Sequence, residues 1–304
     1  MLQERSGLCA GVERAAGDVR ILRVFVRRTS YTPTDDMVWI GAPPLPFVIP
    51  EHDEVHISCT FTWDMDAAEE LLFQWQTATD KPVRLGGPAY LSPARDFTPG
   101  LYVAKNVVFT SRGCNNNCSF CGVRKIEGTL VELPIHPGNI IQDNNFLQCS
   151  RQHKDKVFEM LKGQKGISFR GGLQCNLIDD HFIENIRGLR IRELWMACDT
   201  DAQLPAFKEA CGKLVKAGFK RDHLKCYSLI GKDMVSEEER NREIYMAGAL
   251  PFSQLLRDFS RKKTQYSKEW TDFERMWQRP AIAKAHMREV CGVGLPSLFD
   301  QEET

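Results

Sequence analysis

Three cysteines within eight residues, Cys114, Cys118 and Cys121, are the side chains of this sequence with the clearest chemical potential. They lie in the stretch TSRGCNNNCSFCGVR, residues 110–124. A disulfide takes two thiols and a structural zinc ion usually takes four ligands, so an odd set of three suits neither. An iron–sulfur cubane that takes only three thiolates keeps one iron open to an outside ligand. Such an open iron would be a site of reaction.

A zinc site on the same loop would need a fourth ligand from elsewhere. Cys149 and His136 are the nearest candidates in the sequence, but neither has the paired spacing of a structural zinc ribbon. A zinc- or cluster-bearing structural module without catalytic activity therefore stays open as an alternative to an enzyme.

The composition favours a cytoplasmic protein. The chain has 304 residues, with 40 basic and 40 acidic side chains. This balance excludes the strong net positive charge of proteins that bind along a nucleic-acid phosphate backbone. Its first twenty residues mix charged with small side chains, unlike the apolar stretch of a secretory signal. No run approaches the roughly 18 apolar residues of a membrane span, so we expect no membrane partner. Of the eleven cysteines, most outside the loop lie singly in apolar segments, where free thiols pack as small hydrophobes.

Six short β-type segments follow one another from residue 105 onward, each ending in a polar or glycine-bearing tip. These strands are predicted at 106–110, 139–142, 166–170, 193–197, 225–230 and 249–256. Helices are predicted over 153–162 and 202–216, and a third helix is expected to open with Ser236 and Glu239 as a capping box. This alternation is typical of βαβ units in a parallel sheet. It predicts an α/β fold, a partial (β/α)6 TIM-type barrel over residues 105–257.

The segments on either side of the barrel have different patterns. Residues 1–104 predict a small α/β unit, with a helix near Asp66 and Glu69 and a proline-rich passage at 41–50.

Residues 258–304 predict a helical tail, whose Trp270, Phe273 and Trp277 would pack on the barrel. A tail that binds RNA or a partner through the basic run 261–263 is the alternative.

The segment CNNNCSFC resembles the CxxxCxxC motif of the radical S-adenosylmethionine (SAM) superfamily, with the aromatic Phe120 before the last cysteine and a predicted strand before the motif. The resemblance implies that Cys114, Cys118 and Cys121 hold a [4Fe-4S] cluster, whose fourth iron is chelated by the amino and carboxylate groups of SAM. It further implies that one-electron reduction of SAM yields methionine and a 5′-deoxyadenosyl radical, which abstracts hydrogen from a substrate. A reductant protein such as flavodoxin or ferredoxin is the implied partner. The substrate, whether a small molecule, a peptide or RNA, is not specified by the sequence.

SAM contacts are expected at the carboxyl ends of the strands, because active sites of barrels lie there. The second strand ends in polar residues that could accept hydrogen bonds from the SAM amino group: Asp143, Asn144 and Asn145. Proteins of the superfamily usually carry Gly-Gly-Glu or a short acidic motif at this place. After the third strand, Gly171 and Gly172 would let the backbone approach a ligand closely. Both strand ends are candidates for binding the amino group.

The remaining expected SAM contacts come from the third, fourth and fifth strand ends. Gln174 would supply a polar contact, and Asp199 would accept hydrogen bonds from the ribose hydroxyls. Asp201 is expected to be the N-cap of the next helix, which leaves Asp199 free. Ile230 and Gly231 resemble the strand end that packs against adenine in the superfamily, and Phe120 is included among the cofactor contacts.

The first hundred residues resemble a reduced form of the cobalamin-binding domain that precedes many radical SAM enzymes. The unit is short for that domain, and its histidines, His52 and His56, lie before or within a predicted strand rather than in a turn suited to ligate cobalt. Cobalamin is therefore not expected, although the resemblance allows it. A methyl- or methylthiotransferase acting on tRNA or a nucleotide is the alternative within the superfamily, but the scattered cysteines outside the loop do not favour a second cluster.

Overall fold

The structure, a computed structural model, describes residues 19–90, 97–258 and 260–291. Predictions that concern residues 1–18, 91–96, 259 and 292–304 lie outside the described residues. The boundaries proposed at residues 104 and 257 stay predictions. No helix within the described ranges is long and apolar enough to cross a bilayer.

A four-stranded parallel sheet forms the first unit. Its elements are β1 (Ile21–Phe25), β2 (Val38–Ile40), β3 (Glu54–Ser58), helix α1 (Met65–Ala78) and β4 (Val83–Gly86), and the strand order is β2-β1-β3-β4. The predicted face of α1 is buried: Ala68 and Trp75 are 0% exposed and pack with Leu22 and Val24 of β1. The indole nitrogen of Trp75 donates to the Gly41 carbonyl at 3.2 Å, which ties the helix to the loop after β2.

A second sheet contains six parallel strands. In chain order its elements and the segments between them are β5 (Val107–Val108), β6 (Ser111–Arg112), α2 (Val123–Ile126), β7 (Val131–Glu132), β8 (Ile140–Ile141), α3 (Arg151–Lys162), β9 (Ile167–Leu173), α4 (Asp180–Arg187), β10 (Ile191–Ala197), α5 (Leu204–Lys216), β11 (Leu224–Ile230), α6 (Met234–Met246) and β12 (Leu250–Leu255). The order β5-β8-β9-β10-β11-β12 follows the chain, which confirms the six predicted strands. In the described part of the chain, β5 and β12 are the two edges and do not pair, so the barrel is partial, as predicted.

Helices α3 to α6 cover one face of this sheet. Val157, Phe158 and Leu161 of α3 are buried, as the helical spacing predicts. Leu194 and Met196 of β10, both 0% exposed, point to the same side and belong to the same apolar core. Alternate residues of the strands therefore face the helices, and the residues between them lie on the opposite face.

Two elements differ from the sequence predictions. Helix α4 was not predicted, although Phe182, Ile183 and Ile186 form its buried face. The start of α6 was placed too late: it begins at Met234, because the Asp233 carboxylate accepts the backbone N–H of Val235 at 3.1 Å and caps the helix.

The tail forms two helices, α7 (Lys268–Gln278) and α8 (Pro280–Cys291). Trp277 is 0% exposed and Phe273 is 7% exposed, so these two aromatic residues pack on the barrel as predicted. Arg261, from the basic run before α7, forms ion pairs with Asp66 and Glu69 of α1. In this structure its charge joins the tail to the first unit.

Helix α7 also hydrogen-bonds to the free edge of β12. The Glu274 carboxylate accepts the backbone N–H of Leu255 at 3.0 Å, and the Gln278 amide donates to the Ser253 carbonyl at 3.0 Å. Side chains of the helix thereby supply partners that a further strand would otherwise supply.

Candidate active site

The cysteine loop lies between β6 and α2. Two backbone hydrogen bonds shape it, from Cys121 N–H to the Cys118 carbonyl at 3.1 Å and from Cys114 N–H to the Gly128 carbonyl at 3.2 Å. Gly113, just before the loop, has φ +80°, and a Cβ there would lie 2.3 Å from the Thr129 carbonyl oxygen. The loop therefore requires glycine at this position.

The three thiols of the loop are partly exposed, and they act on one another. Burial raises the pKa of the Cys118 thiol, and the neighbouring Cys121 and Cys114 raise it further. Burial also raises the pKa of Cys121, with Cys114 again contributing. The three thiols therefore lie near enough for the charge of one to raise the pKa of another.

The donor set fits an iron–sulfur cluster better than one zinc ion. Within the described ranges, no group of three or more His, Cys, Asp or Glu side chains is close enough to hold a single metal ion. Of the two zinc-ligand candidates, Cys149 is 4% exposed beside Ser111, and His136 packs edge-on against the Phe97 ring at 6.1 Å. A cubane holds its thiolate ligands at separate corners, so the three thiols of the loop could occupy three of them and leave one iron open.

A network of side-chain amides holds the loop against the strand ends. The Gln174 carbonyl oxygen accepts hydrogen bonds from the amide groups of Asn116 (2.9 Å), Asn145 (2.7 Å) and Gln148 (2.9 Å). The Gln148 carbonyl oxygen accepts the backbone N–H of Asn115, inside the loop, at 2.8 Å. Gln174 therefore positions the loop through three neighbours.

Asn144 and Asn145 both contact the base of the loop. The side-chain oxygen of Asn144 accepts the backbone N–H of Gly113 at 3.0 Å. The Asn145 amide lies 3.7 Å from the Cys114 sulfur. Asn145 is 4% exposed, and its side-chain oxygen, Oδ1, is buried without a hydrogen-bond partner among the described residues. A buried acceptor without a donor is costly, which makes this oxygen a candidate partner for a bound ligand.

Asp143 and Gly171 have packing roles instead. The Asp143 carboxylate, 2% exposed, accepts hydrogen bonds from Thr110 N–H (2.6 Å), Thr110 Oγ1 (2.5 Å) and Ser111 Oγ (2.9 Å). A Cβ on Gly171 would lie 1.6 Å from the Asp143 carbonyl oxygen, so the close approach made there is between β9 and the end of β8. Gly172, with φ +97°, has open space beside it. We leave Asp143 and Gly171 out of the proposed ligand contacts.

A pocket of about 230 Å³ lies at the ends of β10 and β11, beside the cysteine loop. It brings together the predicted residues Phe120, Asp199 and Ile230. Burial raises the pKa of Asp199 to about 6, which the nearby Arg240 guanidinium partly opposes. The Asp199 charge in turn raises the pKa values of Cys118 and Cys121, so the pocket adjoins the thiols.

Gly231 lies next to this pocket, but its free side faces Tyr266. Its φ is +121°, and a Cβ there would lie 2.9 Å from the Tyr266 hydroxyl oxygen. The side chain of a larger residue would therefore meet Tyr266.

Two buried charged residues of α6, missed by the sequence analysis, build the pocket wall. Glu237 is 5% exposed, and its carboxylate accepts the N–H groups of Gly231 at 2.9 Å and Lys232 at 3.1 Å. Arg240, also 5% exposed, donates to the Leu229 carbonyl at 2.5 Å and pairs with Asp201 at 2.7 Å. Their spacing of three along α6 places both on one helix face and was the signal available.

The prediction that Asp201 is an N-cap was wrong. Thr200 is the N-cap of the turn that begins at Asp201, and the Gln203 side chain accepts the backbone N–H of Thr200 at 3.2 Å. The Asp201 carboxylate is taken by Arg240 and by the Ser236 hydroxyl at 2.7 Å.

No protein-family model matches the chain, and no curated protein matches it. Among solved structures, it is similar to a radical SAM methyltransferase, TsrM, from Kitasatospora setae with cobalamin and a [4Fe-4S] cluster bound. The TM-score is 0.57 at 10% sequence identity, over 79% of this chain and 76% of the other. The chain shares the fold of that protein. That likeness confirms the predicted architecture, whereas the activity has to be argued from the site.

Proposed function

We propose that this protein is a radical SAM enzyme, in which Cys114, Cys118 and Cys121 hold a [4Fe-4S] cluster and SAM fills the adjoining pocket. The observation that carries the proposal is the convergence of Phe120, from the cysteine loop, with Asp199, from the end of β10, in one pocket next to the thiols. A metal site without catalysis would not need a ligand pocket at the same place.

The residues divide the recognition of SAM between them. The unpartnered Asn145 oxygen would accept a hydrogen bond from the amino group. Asp199 would accept hydrogen bonds from the ribose hydroxyls, and Phe120 and Ile230 would contact the adenine. Gln174 keeps the loop in place through its amide neighbours. When bound, the cluster would supply the electron that cleaves SAM to methionine and a 5′-deoxyadenosyl radical able to abstract hydrogen. We propose flavodoxin or ferredoxin as the electron donor, in the cytoplasm.

Anaerobic reconstitution with iron and sulfide tests this proposal. The wild-type protein should become brown, bind about four iron atoms per chain and form 5′-deoxyadenosine from SAM under dithionite. Cys118→Ala should lose all three properties. Cys149→Ala, a buried cysteine outside the motif, is the matched control and should keep them.

Two results would contradict the proposal. Stoichiometric zinc with no 5′-deoxyadenosine would support a structural metal module. Undiminished iron in Cys118→Ala would show that the loop does not hold the cluster.

Cobalamin stays outside the proposed function. Both ring nitrogens of His52 have partners, the Pro50 carbonyl at 2.7 Å and Thr79 Oγ1 at 3.2 Å. Those of His56 contact the Tyr102 hydroxyl at 2.5 Å and the Glu54 carboxylate at 2.9 Å. Neither histidine is free to ligate cobalt. After incubation with hydroxocobalamin and desalting, we expect no retained corrin absorbance; retention of the corrin would bring a cobalamin-dependent methyltransferase back as the function.

A further inference from the structure

The six-stranded sheet has a second face, turned away from helices α3 to α6. Along β10, Leu194 and Met196 are fully buried against the helices, whereas Glu193 and Trp195 remain partly exposed. Along β11, Tyr227 and Leu229 alternate in the same way with buried neighbours. Because side chains alternate across a strand, these partly exposed residues line the open face.

Three aromatic rings meet on this face. The ring centroids of Trp195 and Tyr227 are 4.7 Å apart, those of Trp195 and Phe252 are 5.1 Å apart, and those of Tyr227 and Phe252 are 6.0 Å apart. All three side chains keep part of their surface exposed. We call Trp195, Tyr227 and Phe252 the aromatic cradle. Aromatic surface of this size usually either enters a core or contacts a ligand.

Hydrogen bonds fix the orientation of the rings. The Trp195 indole nitrogen donates to the Glu193 carboxylate at 3.0 Å, and the Tyr227 hydroxyl donates to the Arg170 carbonyl at 2.9 Å. Arg170 also pairs with Glu193 at 2.8 Å, so these two charges offset each other. The polar atoms of the cradle are thereby occupied by the protein, which leaves ring faces and edges for a ligand.

The cradle continues into the pocket assigned to SAM. Leu229 lines that pocket together with Asp199, and it follows Tyr227 by two residues on the same face of β11. Two residues of a strand span about 7 Å. A ring lying on the cradle would therefore be next to the pocket where the radical would be formed.

We propose that the aromatic cradle binds the substrate through a planar aromatic ring. The inference rests on the proposed function, since it assigns the substrate class of that same site. Planarity follows from the ring faces that the cradle offers.

Binding of a simple probe tests the cradle. Isothermal titration of the reconstituted full chain, with SAM present and no reductant, would compare coumarin, which is planar and uncharged, with cyclohexanol, which is uncharged but not planar. We expect measurable coumarin binding and at least tenfold weaker cyclohexanol binding. Trp195→Leu should weaken coumarin binding about twofold to twelvefold, because it removes a ring on which coumarin would stack.

Matched variants separate the cradle from general effects. Trp270→Leu removes a partly exposed indole of α7, outside the cradle, and should leave coumarin binding unchanged. If Trp195→Leu does not fold, as judged by circular dichroism, Phe252→Leu takes its place with the same expectation.

Equal affinity for the two probes, or unchanged coumarin binding in the cradle variant, overturns the proposal. The two proposals fail separately. Formation of 5′-deoxyadenosine by a protein that does not bind coumarin would end the cradle alone. Selective coumarin binding by a protein that cannot cleave SAM would end the proposed function alone.

Discussion

Replacement of Asp199 by asparagine should make the protein without SAM more stable at neutral pH and at the same time weaken SAM binding. The carboxyl group has a pKa of about 6 in the folded protein, against an ordinary value of 3.8, because burial disfavours its charge. The difference is about two units, and each unit corresponds to about 1.4 kcal/mol. At pH 8 the ionised group therefore lowers the free energy of unfolding by about 2 to 3 kcal/mol.

The sign of the pH dependence follows from proton binding. Between pH 3.8 and about 6, the folded state holds a proton on Asp199 that the unfolded state has lost. Stability falls as the pH rises through this window, and the loss is complete above the folded pKa. Asparagine carries no charge, so Asp199→Asn should gain stability over the wild type at pH 8 and almost none at pH 4.

Urea unfolding of the full chain without SAM, at pH 4, 6 and 8, measures this difference. Asp201→Asn is the matched control, because hydrogen bonds from Ser236 and Arg240 lower the pKa of Asp201. The ionised Asp201 carboxylate stabilises the folded protein at neutral pH, and this contribution is lost as the pH falls. Asp201→Asn should therefore lower the free energy of unfolding at pH 8. The effect should be small, since the Asp201 side chain is 61% exposed.

SAM binding to the reconstituted protein should weaken about tenfold or more in Asp199→Asn, since hydrogen bonds to charged groups contribute about 1.5 to 3 kcal/mol. A variant that is less stable than the wild type at pH 8, or a difference that does not shrink on acidification, would refute the buried-charge argument. Unchanged SAM affinity would refute the assigned role.

Three further predictions concern the hydrogen bonds and the packing of the protein. Gln174→Leu removes the acceptor shared by three amides, so the cluster should be lost faster, as measured by the decay of its visible absorbance. Gln174→Glu keeps an acceptor at this position and should restore much of the cluster lifetime. Gly171→Ala should fail to give soluble protein, because its Cβ would overlap the Asp143 backbone carbonyl. Gly172→Ala should fold, with a free energy of unfolding lower by about 1 to 3 kcal/mol because of strain at φ +97°. Equal behaviour of the two variants would contradict the packing argument. Trp277→Ala should lower the free energy of unfolding by about 3 to 5 kcal/mol, since the indole is fully buried, and a loss below about 1 kcal/mol in urea titration would contradict that packing.

The sequence predicted the strands well because each is a compact apolar run. The strands β9 to β12 formed where those runs occur. Helix α4 was missed although its pattern was readable, since Phe182 and Ile186 are four residues apart and both face the core. The β6–β7 pair could not be predicted, because strands of two residues carry no periodicity.

The sequence points to the candidate site where residue type alone carries the chemistry. Cysteine spacing identified the loop, and strand ends pointed to Asp199. Contacts between residues distant in sequence were not predictable: Gln174 and Asn116 are 58 positions apart, and nothing in either segment requires the other. For the same reason the sequence did not show that the Asp143 carboxylate, expected to contact SAM, accepts hydrogen bonds from Thr110.

The hydrogen bonds from Glu274 and Gln278 to β12 have a consequence for self-association. An uncovered outer strand is a template onto which a second molecule can add its own strand, and chains of such additions lead to fibres. Here a helix, which offers no repeating ladder, occupies part of that template. The sheet can therefore end at β12 without a second copy of the chain adding a strand to it. Removal of α7 would expose this edge and promote self-association.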